Sequence, residues 1–142
     1  MPASPEIEVR AAAPAERPIL ERLLQLYIYD FSELAGIGSP HGRVDAEGRF
    51  GYPSLDLYWS EEGQQAFLLR VDGELAGFVL LNRWSPSGDP VDRSIAEFFV
   101  MRKYRRGGIG TRMAHRVLRA QPGIWEIAVA GYNAPALAFW RS

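Results

Sequence analysis

Leu20, Leu23, Leu24, Tyr27, Phe31 and Leu34 recur at steps of three and four residues, so residues 17–34 predict an amphipathic helix. Ahead of it, residues 6–11 (EIEVRA) alternate apolar and charged positions as a half-buried strand does, and AAPAERP then breaks that pattern. Gly36, Gly38, Pro40, Gly42, Gly48, Gly51 and Pro53 predict a long loop over 36–54, and loops of that length are commonly functional or mobile. FLLRV and LAGFVLLNRW flank Asp72 and Gly73, which predicts a hairpin over 67–84 closed by a favoured Asp-Gly turn. SPSGDPVD forms a second turn region, and residues 95–101 (IAEFFVM), apolar on both faces, predict a strand central in its sheet. A helix follows over 108–120, with Ile109, Met113 and Val117 on one face and Arg112, Arg116 and Arg119 on the other, ended by Pro122 and Gly123. Residues 125–130 read as another strand and 134–141 as a last helix opening after Asn133. No repeat or boundary interrupts this order, so residues 1–142 are expected to form one domain.

Composition narrows the class. A chain of 142 residues, 47% hydrophobic and 23% charged, fits a soluble globular protein with one core. It carries no apolar run near the ~18 residues a membrane span needs. MPASPEIEVR lacks a basic leader followed by an apolar stretch, which makes the cytoplasm the default location and a membrane partner unexpected. Without cysteine there is no disulfide framework, thiolate nucleophile or sulfur-ligated zinc, and His41 and His115 alone argue against a metal centre. Charge is unevenly placed. Residues 98–125 hold seven Arg or Lys and no acid, so with a net charge of −1 the rest of the chain carries −8. That pattern suits a small polyanion better than a nucleic acid needing a broad basic face; a solvated basic helix face would produce the same pattern.

The string FFVMRKYRRGGIGTRMA runs a strand through a glycine-rich turn into the basic helix. Gly107, Gly108 and Gly110 clear side chains from the approach to a helix N-terminus, where unpaired N–H groups and the helix dipole favour an anion such as a diphosphate. A Walker A loop is excluded because no lysine follows these glycines, and a dinucleotide fingerprint places Met113 where its third glycine belongs. A tight turn with no ligand would also use glycines.

Arg105, Gly108 and Gly110 match the Arg/Gln-x-x-Gly-x-Gly/Ala pyrophosphate loop, and the chain resembles the GCN5-related N-acetyltransferase (GNAT) superfamily. FFVMRKY is similar to the family's fourth strand, and WEIAVAGYNAPALAFW to its fifth strand and following helix. The elements before residue 95 follow the family's order. The resemblance implies an α/β (α+β) fold with a mixed, mostly antiparallel sheet flanked by helices. It also implies acetyl-CoA as co-substrate, an amine acceptor, and direct attack in a ternary complex. By position, Phe99, Val100 and Met101 would contact pantetheine, a backbone N–H near Val100 would receive the thioester carbonyl, and Arg105, Arg106, Gly107, Gly108, Gly110 and Thr111 would hold the diphosphate. Asn133 would contact the coenzyme, with Arg102, Arg106 and Arg112 candidates for its 3′-phosphate.

An amine with a pKa near 10 is only about one part in a thousand neutral at pH 7, so a base is expected. Glu97 is the candidate, a carboxylate in an apolar strand; an ion pair or a solvated strand end is its alternative. The family's acidic tyrosine is replaced by Trp140, leaving Tyr132, water, or departure as the thiolate. Asp30, Glu33 and the tyrosines of YIYDFSELAG would suit a cationic acceptor, or simply solvate the helix end. If residues 1–142 are the whole protein, the family's usual last strands are expected to be missing, and a homodimer, strand exchange or the N-terminal segment would cover the exposed sheet edge, or else the domain would be shortened and less stable. A non-catalytic acyl-CoA-binding module of the same fold is the second functional reading.

Overall fold

Asp72 and Gly73 turn the chain at φ 50° and 81°, the left-handed pair that a two-residue hairpin requires. On either side of them β2 (Gln65–Val71) and β3 (Glu74–Asn82) pair antiparallel, so the expected hairpin is present. The structure is a computed structural model that describes residues 5–40, 42–52, 55–83, 87–89, 91–105, 107–120, 123, 125–127 and 140. Contacts divide the chain into two units, residues 1–14 with 56–128 and residues 15–55 with 129–142.

The first unit contains the sheet. β1 (Ile7–Ala11), β4 (Arg93–Val100) and β5 (Trp125–Ile127) join the hairpin in the order β1-β2-β3-β4-β5, antiparallel except for the parallel β4–β5 pair. This is the mixed, mostly antiparallel sheet expected from the sequence. β3 is buried from Ala76 to Leu81, so both its faces are covered, and Phe78, Val79, Leu80 and Leu81 are wholly shielded. β4 starts two residues earlier than predicted and has neighbours on both sides, as its unbroken apolar character required. The described part of β5 ends at Ile127, and residues 128–130 of the predicted strand lie outside the described residues.

α3 (Ile109–Ala120) buries Ile109, Met113 and Val117, the predicted apolar stripe, together with Ala114, and leaves Arg112, Arg116 and Arg119 exposed. It reaches β1, where Arg116 donates to the Ile7 carbonyl. The Asp72 N–H already bonds to Glu6 O, so strand alternation turns Ile7 C=O to the open edge, and Arg116 satisfies it there. A four-residue helix, α2 (Leu57–Ser60), was not predicted because one turn is too short to show a period. Trp59 Nε1 ties it to Ala12 O at 2.9 Å.

The second unit carries α1 (Arg17–Ala35), which matches the predicted helix, with Leu20, Leu23 and Leu24 buried. Pro18 occupies its first turn, where a missing N–H costs nothing, and Gly36 leaves it at φ 74°. The described residues beyond it, as far as Tyr52, form turns rather than regular structure, as the glycines predicted. Gln25 anchors this stretch to α1: its Nε2 donates to Phe50 O at 2.7 Å, and its Oε1 accepts from Phe50 N at 2.9 Å. Within the loop, the N–H groups of Arg49 and Glu47 hold the exposed Asp45 carboxyl below its ordinary pKa.

Candidate functional site

The end of β4 is positioned by a glycine in β3. A β-carbon on Gly77 would stand 1.8 Å from Phe99 O, so only glycine lets the two strands come this close. Phe99 C=O therefore points toward β3, and in a trans peptide the Val100 N–H points the opposite way, toward the side of β5. Met101 N donates to Ala76 O at 2.7 Å, which confirms the alternation: the donor at 101 faces β3 and the donor at 100 does not.

Glu97 follows a bulge. The register steps from Leu80/Glu97 to Leu81/Ile95, so Ala96 is the extra residue, and Glu97 and Phe99 share a face with their cross-strand partners Leu80 and Phe78. Phe78 and Phe99 are buried with ring centroids 5.7 Å apart, while Glu97 is half-buried. A carboxylate thus stands on an aromatic and aliphatic face of the strand that carries the outward-turned Val100 N–H.

Beyond β4 the chain makes a 3-10 turn, Arg102–Tyr104, in which Tyr104 N bonds to Met101 O and Arg105 N to Arg102 O. It brings Arg105 back onto β4, where Nε donates to Val100 O at 2.7 Å and the guanidinium lies 5.7 Å from the centroid of Phe99. Gly107 and Gly108 follow at φ 84° and 78°, and a β-carbon on either would meet nothing within 4 Å. Both glycines are thus needed for backbone conformation, and both border open space. The first helical bond of α3 is Arg112 N to Gly108 O at 3.0 Å. Helix geometry then leaves the N–H groups of Ile109, Gly110 and Thr111 without intrahelical acceptors. Arg102, Lys103, Arg105 and Arg112 are exposed around this end, in a stretch, residues 98–120, whose sequence contains no acid.

Of the residues singled out from sequence, Glu97, Phe99, Val100, Met101 and Arg105 lie along β4 and the turn after it, and Gly107, Gly108, Gly110 and Thr111 at the start of α3. Arg106, Asn133 and Tyr132 lie outside the described residues. Trp140 is helical and half-buried, and belongs with α1 to the second unit. In that unit Asp30 is half-buried, Glu33 and Tyr29 are exposed, and the rings of Tyr27 and Phe31 lie tilted to each other with centroids 6.5 Å apart. Sequence reasoning missed Gly77, whose signal was a lone glycine inside LAGFVLLN, and the bulge at Ala96, which left no signal. Among the described residues no three His, Asp or Glu side chains converge as a metal site would require, and no helix is long and apolar enough to cross a membrane.

The sequence matches the family model described as "Acetyltransferase (GNAT) family" over residues 24–142. No curated protein matches it. Among solved structures, an acetyltransferase from Thermus thermophilus is similar at 20% identity, with TM-score 0.69 over 95% of this chain and 83% of its own. A mutant of the BH1408 protein from Bacillus halodurans is similar at 16% identity and TM-score 0.71, over 94% and 90% of the two chains. Aminoglycoside N-acetyltransferase AAC(6')-Iy in complex with CoA is similar at 15% identity and TM-score 0.66, over 99% and 88%.

Proposed function

The chain belongs to the acetyltransferase (GNAT) family, and from that premise we propose that it is a cytoplasmic enzyme that transfers the acetyl group of acetyl-CoA to an amine by direct attack in a ternary complex. The observation that carries this reading is the outward-turned Val100 N–H at the end of β4, with a left-handed glycine pair, Gly107 and Gly108, seven residues further on opening a basic helix.

The residues present fit the coenzyme. Gly107 and Gly108 face open space, the first N–H groups of α3 lie ahead of its hydrogen-bond ladder, and exposed arginines flank them. Those donors suit a diphosphate, and Arg102 and Arg112 suit the 3′-phosphate. Phe99, Val100 and Met101 border the pantetheine arm, and the Val100 N–H receives the thioester oxygen. One such donor is worth roughly 3 to 4 kcal/mol as charge develops on that oxygen.

Acetyl-CoA supplies an acyl group on a thiol leaving group. Glu97, directly or through water, takes the proton that the ammonium must lose, and the amine lone pair attacks the thioester carbon. The C–N bond forms, the C–S bond breaks with the sulfur keeping the electron pair, and the second proton of the attacking nitrogen passes to water or to the departing sulfur. A thiol with a reference pKa near 8.5 departs without an obligatory acid, which accommodates Trp140 where the family places a tyrosine. The acceptor class is supported by Asp30, Glu33 and the tyrosines of α1, groups that suit a cation, and by the aminoglycoside enzyme of like fold, solved with a bisubstrate analogue of CoA and acetylneamine.

Trp140 favours a second reading, a non-catalytic acyl-CoA binder. Thiol release from acetyl-CoA across a panel of polyamines, aminoglycosides, peptide N-termini and lysine peptides separates the two. Amine-dependent release supports the enzyme, whereas tight CoA binding with no release from any amine supports the binder.

A further inference from the structure

We propose that Arg105 is a positioning residue, setting the Val100 donor through its Nε–H rather than serving the coenzyme through its charge. The proposal rests on the reading of Val100 as the thioester donor.

Three contacts fix the backbone around Val100. The peptide unit joining Val100 and Met101 is held at both ends, its carbonyl by Arg105 Nε at 2.7 Å and its N–H by Ala76 O at 2.7 Å. The preceding unit is set by the close approach of Phe99 O to Gly77. The Val100 N–H therefore sits between two peptide planes of defined orientation, and its direction follows from theirs. Two of these holds come from β3, whereas Arg105 belongs to the turn leading into Gly107 and Gly108. It is thus the described link between the turn read as binding the diphosphate and the strand end that meets the thioester. Its guanidinium lies over the ring of Phe99, the residue just before the donor, while its Nε–H donates to Val100 O.

Counting bonds separates this role from an electrostatic one. In arginine the Nε–H is carried on Cδ, and in glutamine the amide nitrogen is carried on the same carbon. Lysine has a carbon at that place and its ammonium one bond further out. Glutamine can keep the donor while losing the charge, and lysine keeps the charge while losing the donor.

The test compares Arg105→Ala, Arg105→Gln and Arg105→Lys in the full chain, by kcat, by CoA dissociation constant and by the carbonyl carbon resonance of Val100. Arg105→Ala is expected to lower kcat roughly 10- to 100-fold, the cost of a misplaced reacting group, with CoA affinity within about threefold. Arg105→Gln restores kcat to within about fivefold of the unsubstituted protein and keeps the Val100 carbonyl resonance, while Arg105→Lys tracks Arg105→Ala in both. If Arg105→Ala does not fold, the Gln and Lys pair carries the same comparison. Restoration by Lys and not by Gln would overturn the proposal in favour of charge, as would a loss of CoA affinity at unchanged kcat. An unsubstituted protein that neither binds CoA nor releases thiol overturns the functional reading itself, and that result is seen before any variant is made.

Discussion

Gly77 and Phe99 face each other across β3 and β4 so closely that a β-carbon on the glycine would stand 1.8 Å from the carbonyl oxygen of the phenylalanine. The obstacle is backbone, which cannot swing aside as a side-chain tip can. Gly77→Ala should therefore push the strands apart, costing about 1 to 3 kcal/mol of stability and misdirecting the Val100 N–H. Urea unfolding and turnover against the best amine check this together. A Gly77→Ala protein with native stability and native kcat would show that the close approach does not set the donor.

The first turn of α3 allows stability and ligand affinity to be driven in opposite directions. Thr111 is exposed there, and an aspartate should favour the helix dipole by about 0.3 to 1 kcal/mol. The same charge would repel a diphosphate. Thr111→Asp is thus expected to raise the unfolding midpoint slightly while weakening CoA at least about tenfold, roughly 1.4 kcal/mol, measured by calorimetry. Undiminished CoA affinity would remove the diphosphate from this helix end.

Glu97→Gln keeps the size of a half-buried side chain but removes its basicity. Turnover at neutral pH should fall by roughly 10² to 10⁴ with CoA affinity intact, and rise with pH as the free amine becomes abundant. Turnover within a factor of two of the unsubstituted protein makes Glu97 a structural residue.

Most of the candidate site was legible in the chain because its elements are local. The strand, turn and basic helix from β4 through α3 are contiguous, so glycines, charges and apolar period lie in one string, and the helix was placed to within a residue. What escaped was non-local or too short. Gly77 matters through its approach to Phe99, about twenty residues away, the bulge at Ala96 appears only in the pairing of two strands, and α2 spans a single turn. The contact of Arg105 with Val100 was equally invisible, because RxxGxG reads the arginine as a charge and says nothing of where its Nε–H goes.

The loop after α1 offers a check that is independent of catalysis. Gln25 satisfies both backbone groups of Phe50, so Gln25→Ala removes two part-buried hydrogen bonds, each worth about 0.5 to 1.5 kcal/mol. Exchange of the Phe50 amide should accelerate while amides in β3 keep their protection. An unchanged Phe50 rate would mean that other contacts hold the loop.

The central claim is that the glycine turn and the end of β4 together recognise an acyl coenzyme A. Thermal unfolding of the unsubstituted protein with CoA, acetyl-CoA, NAD and ATP tests it most directly. A coenzyme at about 100 times its dissociation constant should add ~2.7 kcal/mol of stability. We expect that gain with CoA and acetyl-CoA, and much less with NAD or ATP. An equal or greater response to NAD or ATP, with none to CoA, would contradict the account.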